Sequence, residues 1–93
     1  MVRTSPQIWR DLSSTGLDFL RIELKTANTF TRIAASASPL SARKTRNQAS
    51  ARTAYNKVEE LRGRLQLSNS DLRDINRGLN RLKSALEKLG EKF

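Results

Sequence analysis

Leu17–Ala37, LDFLRIELKTANTFTRIAASA, is the stretch on which the fold turns. Placed on a helix at ~100° per residue, its apolar side chains cover an arc of roughly 220°. They are Leu17, Phe19, Leu20, Ile22, Leu24, Ala27, Phe30, Ile33, Ala34 and Ala37. An ordinary surface helix needs an arc of only about 100°. The polar residues Asp18, Arg21, Lys25, Asn28, Thr29, Arg32 and Ser36 share the narrow remainder. A helix of this kind has to be covered from two sides, so the rest of the chain is expected to pack around it. Glu23 breaks the pattern by projecting from the middle of the apolar arc. A carboxylate facing a core must be paired, hydrogen-bonded or protonated. Tyr55 and Arg62 are the partners expected from the next helix, which makes Glu23 and Tyr55 a candidate buried polar contact.

The flanking sequence divides into further helices with local start and stop signals. Ahead of the central stretch, Ser5-Pro6 has the form of an N-cap followed by proline at the first helical position. A short helical turn, QIWRDL, follows it, and Gly16 is expected to end or redirect that turn. Ile8 and Trp9 either fold back over one end of the bundle or stand out as an aromatic anchor. The central helix is expected to stop near Ser38-Pro39, because the residue before proline is pushed out of the α region. Ser41 then caps a second helix spanning about residues 42–65. Its seam is Asn47, Ala51, Ala54, Val58, Leu61 and Leu65, with Tyr55 beside it. Ser68-Asn69-Ser70-Asp71 matches a capping box, with Leu67 and Leu72 placed as the accompanying hydrophobic staple. A third helix carries the seam Leu72, Ile75, Leu79, Leu82, Leu86 and Leu89. On its flank, Gly78 and Ala85 allow a close neighbour, and Gly90 supplies a left-handed stop.

Three amphipathic helices joined by short connections predict an all-α fold, an antiparallel three-helix bundle with a short N-terminal helical turn. Residues 1–16 form the N-terminal segment and residues 17–93 the bundle, a single domain. The second and third helices resemble, in architecture alone, the hairpins of tetratricopeptide-like and microtubule-interacting-and-transport domains. The Trp-Leu-Gly-Tyr signature of a tetratricopeptide repeat is absent, one hairpin is not an array, and no function follows from the likeness.

Composition narrows the function classes. The chain has 93 residues, no His and no Cys. That removes the commonest general base, the thiol nucleophile and most transition-metal sites. The acids are scattered and the four glycines sit singly, so no phosphate loop is present. No catalytic, cofactor-binding or metal-binding residue is therefore nominated, and the chain is not expected to be an enzyme. No stretch has the roughly 18 apolar residues that span a bilayer, nor does the N-terminus carry the apolar run of a signal peptide. A soluble protein of the cytoplasm is expected.

Eighteen Lys and Arg against nine Asp and Glu give a net charge of +9. Such a balance favours an anionic partner. The candidate anion- or partner-binding residues are Arg43, Lys44, Arg46, Arg52, Lys57 and Arg64. A second basic stripe is Arg73, Arg77, Arg81 and Lys88. If Arg43, Lys44, Arg46, Arg52 and Lys57 form a phosphate surface, at least four should be exposed on one face. The first expectation is a small helical module working through a protein partner or self-association. Nucleic-acid binding is the alternative, and an anionic lipid surface ranks third.

Overall fold

A computed structural model describes the backbone from Pro6 and the side chains from Thr15 onward. It contains α1 (Pro6–Ser36), α2 (Ala42–Arg62) and α3 (Asn69–Lys88). These build the antiparallel three-helix bundle that the periodicity predicts. Arg21 meets Asp71 at the start of α3, and Leu24 lies against Gly78 further along. The two helices therefore run parallel. α2 runs against both, since Glu23 pairs with Lys57 while Gln48, near its start, reaches Glu91 past the end of α3.

The residues that form the helices also end them. Ser41 caps α2, its hydroxyl oxygen accepting the Lys44 N–H at 3.1 Å. Ser68 caps α3 in the same way, accepting the Asp71 N–H at 3.0 Å. At the far end of α3, Gly90 has φ 102°. Its N–H bonds Glu87 and the Glu91 N–H bonds Leu86, both at 3.0 Å, the paired closure of a Schellman motif. Replacing Ser68 by Ala should cost on the order of 0.5–2 kcal/mol, read as a lower denaturant midpoint with an unchanged slope.

Four features differ from the sequence expectations. Gly16 neither ends nor redirects the chain, and the expected N-terminal turn is the first part of α1. Its glycine serves packing instead: a Cβ there would lie 2.7 Å from the Leu65 methyl groups. The side chains of residues 6–14, including Ile8 and Trp9, and the Ser5 cap lie outside the described residues. α2 ends at Arg62 rather than near residue 65, with Gly63 closing it. Leu65 lies past the end of α2, where it still packs against the core and covers Gly16. Only half of the capping box forms, because the short Asp71 side chain accepts a hydrogen bond from Arg21 at 3.3 Å.

The fourth difference concerns α1 itself. Its buried positions are Leu17, Leu20, Leu24, Ala27, Thr31 and Ala34, a 3-4-3-4-3 seam like that of α3. Thr31 enters the seam by donating its hydroxyl to the Asn28 carbonyl at 2.8 Å, which satisfies it within its own helix. α2 contributes Ala51, Ala54, Tyr55 and Val58, and α3 Ile75, Leu79, Leu82 and Leu86. Two neighbouring helices cover this seam fully and its flank in part, with Glu23, Phe30 and Ile33 half-buried. The rest of the wide arc is left open: Phe19 is 40% exposed and Ile22 63% exposed.

Candidate functional site

The open part of α1 forms a straight stripe. Phe19, Ile22, Thr26, Phe30 and Ile33 follow one another at helical spacings of three and four. They share a face roughly 100° or more round the helix from the middle of the buried seam. Phe30 and Ile33 are partly buried. Beside the stripe, α1 and α2 enclose an open groove of about 360 Å³. Its α1 wall is Glu23, Thr26 and Phe30, and its α2 wall is Ala49, Ser50, Thr53, Ala54 and Lys57. The α2 wall is low because its residues are small.

Lys57 spans the groove. Its Nζ lies 3.9 Å from Glu23 and 5.9 Å from the centre of the Phe19 ring. Glu23 is thus three-quarters covered, with 23% of its side chain exposed. Its partner comes from another helix, as the apolar arc requires. That partner is neither Tyr55 nor Arg62. Tyr55 donates its hydroxyl to Glu59 at 3.2 Å within α2, and Arg62 donates to Asn76 of α3 at 2.7 Å. Burial, and then the Glu59 carboxylate, push the Tyr55 phenol above its ordinary value.

The six nominated cations do not form one surface. Arg43, Arg46 and Lys57 are exposed, whereas Lys44 and Arg52 are partly buried, so three rather than four of the five stand free of cover. Three of the six are engaged by acids. Lys57 holds Glu23, Arg64 holds Glu60 at 2.7 Å, and Arg52 holds Glu91 at 3.6 Å. Arg52 is further fixed by the Lys92 carbonyl at 2.9 Å, and its guanidinium stacks 3.9 Å from the centre of the Phe93 ring. Phe93 in turn meets Tyr55 edge-on at 4.8 Å. Arg52 is therefore the clasp that ties residues 91–93 to α2. The sequence offers no local signal for that role, since the partners are about 40 residues away. On α3, Arg77 pairs with Asp74 at 3.7 Å, while Arg73 and Arg81 are exposed without an acidic partner among the described residues.

A second hollow lies where α1 and α3 end and α2 begins. Alanines 34, 35, 37 and 85 line it, together with Arg32, Lys44 and Lys88. Two helix C-termini, the negative ends of their dipoles, meet there, and cations are ordinarily favourable at that place. Helix polarity favours Lys88, in the last turn of α3, but not Lys44, in the first turn of α2, while Arg32 precedes the last turn of α1. Among the described residues, no group of His, Cys, Asp or Glu is gathered so as to hold a metal ion. Among the described residues, no helix is long and apolar enough to cross a membrane. The chain matches no family model, no curated protein and no solved structure.

Proposed function

We propose that this chain is a small non-enzymatic module of the cytoplasm that works by binding another protein, with the open stripe of α1 as its contact face. The observation that carries it is the exposure of Phe19 and Ile22 in line with Phe30 and Ile33. Single exposed apolar residues are ordinary on soluble proteins. A contiguous row of them, rimmed by polar groups, is a mark of an interaction surface. The bundle leaves Phe19 and Ile22 of this row uncovered although the chain's hydrophobic content is only 37%. An apolar surface that is scarce and still exposed has a use outside the fold.

Nucleic-acid binding is the second reading. Arg43, Arg46, Arg73 and Arg81 favour it, being exposed and without acidic partners among the described residues. The two roles separate in one experiment: affinity capture at physiological salt, alongside a gel shift on generic DNA and RNA at low and physiological salt. A discrete captured protein is expected, with a weak shift that vanishes as salt rises. Each phosphate contact contributes a log–log slope of about −0.7 to −0.9. A shift that survives physiological salt would promote the second reading over the first.

A further inference from the structure

The hollow where α1 and α3 end and α2 begins offers a ligand charge of one sign only. We propose that it binds a small anion with an apolar body, of the class of a medium-chain carboxylate. The body lies on the alanines and the anionic group among Arg32, Lys44 and Lys88. None of the stripe residues of α1 lines this hollow, so the site is independent of the protein-binding role.

Size and lining come first. The hollow holds about 380 Å³, within the range of roughly 300–1,000 Å³ for small-molecule sites, which also form between the helices of bundles. Ala34, Ala35, Ala37, Pro39, Ala85 and Leu89 make most of its lining apolar. The space exists because the side chains at and just past the end of α1 are methyl groups. Nearer the middle of the bundle, Leu20 and Leu82 fill the corresponding space. The hydroxyl of Thr31 already donates to the Asn28 carbonyl at 2.8 Å, so the polar groups left for a ligand are cations.

Charge then decides what the ligand is. No acid lines the hollow, and Arg32, Lys44 and Lys88 have no acidic partner among the described residues. A neighbouring depression that shares Ala85 and Lys88 adds Arg81 at its edge. The groove beside Lys57 differs, because Glu23 lines it and answers that charge. Lys44 is the telling member of the set. It is partly buried and lies in the first turn of α2, the end of a helix dipole that repels a cation. An entering carboxylate relieves the repulsion among the three cations and accepts charge-assisted hydrogen bonds from them. A neutral apolar molecule leaves the repulsion in place, and a bare anion leaves the alanines wet. An anion joined to an apolar body answers both. A nucleic-acid strand fits less well, since no aromatic side chain lines the hollow for a base to stack on.

The test titrates octanoate into the isotope-labelled full chain and follows the backbone amides by NMR. Octanol, with the chain but no charge, and acetate, with the charge but no chain, are run beside it. Octanoate is expected to saturate, with shifts concentrated at Ala34, Ala35, Ala37, Ala85 and Leu89. It should bind roughly fivefold or more tightly than either control. Lys44→Gln should weaken octanoate by about fivefold, and Lys44→Arg should retain it. The melting temperature of free Lys44→Gln should equal or exceed that of wild type, because the charge removed has no partner. A lower one would make Lys44 structural and overturn its role. Ala35→Leu, at an exposed position of α1, should block the hollow and keep the helical circular-dichroism spectrum. Equal affinity for octanol would mark a merely apolar hollow, and equal affinity for acetate a bare anion site; either overturns the proposal. So do octanoate shifts centred on Phe19 and Ile22, or the absence of saturating shifts. Flotation with phosphatidylglycerol vesicles by wild type, but not by Lys44→Gln, overturns the free ligand in favour of membrane lipid.

Discussion

Leu82→Ala should destabilise the bundle by about 2–5 kcal/mol, the usual range for a buried leucine truncated to alanine. Leu82 has no exposed surface and lies in the middle of the α3 seam, between Leu79 and Leu86. Its loss should weigh heavily because the core is thin. Ala27, Ala34, Ala51 and Ala54 occupy four of its buried positions, leaving few large side chains to close over a cavity. At about 0.05–0.15 kcal/mol per residue, the whole domain has only about 5–14 kcal/mol to lose. A fall in melting temperature of roughly 10 °C or more is expected. Leu40→Ala serves as the control, since Leu40 lies in the turn before α2 and is 101% exposed. Its effect should stay within about 0.5 kcal/mol. Equal melting temperatures for the two variants would show that the α3 seam is not the core.

Ile22→Gln should abolish partner capture while leaving the fold intact. Ile22 lies two residues before Leu24, which is buried, yet Ile22 itself is 63% exposed. Glutamine is a good helix former, so the exchange removes an apolar contact without adding charge or weakening α1. Removing an anchor near the centre of an interface typically costs about 2 kcal/mol or more, which lowers affinity by at least roughly tenfold. The thermal transition should match wild type within about 0.5 kcal/mol in stability. Leu24→Gln should do the reverse and unfold the protein, because it places an amide in the core beside Gly78. If capture survives Ile22→Gln at full strength, the α1 stripe is not the contact face.

Features written within one turn of helix were legible in the sequence. Ser41 and Ser68 had to cap because their hydroxyl oxygens lie next to the free N–H groups that open each helix. Gly90 had to take the left-handed position, which costs other residues a clash with their own Cβ. The α3 seam was equally plain, since only one face of that helix is apolar. For the same reason the three-helix architecture followed from spacing and short loops alone.

The candidate site was only half legible. The unusual apolar width of α1 was visible, and so was the outlying Glu23. What could not be read was which part of the arc two helices would bury. Had Thr31 been admitted as a seam residue, the spacing Leu17, Leu20, Leu24, Ala27, Thr31, Ala34 would have matched the α3 pattern. Phe19, Ile22 and Phe30 would then have stood out as a second stripe. A threonine is polar on any scale, and only its bond back to Asn28 makes it suitable for the interior.

By itself, the sequence determined the number of helices, their order, the Ser41 and Ser68 caps and the narrow seam of α3. Those choices depend on backbone valence and side-chain period, which neighbouring residues decide among themselves. Only the tertiary structure decided that Gly16 packs under Leu65 instead of breaking the helix, and that Arg52 clasps Glu91 and Phe93. It also decided that Asp71 turns to Arg21, and that one edge of α1 stays uncovered. Each of these depends on which surfaces meet across tens of residues. Two helices packed against a third cover little more than one seam of it, so the excess apolar width of α1 remained at the surface.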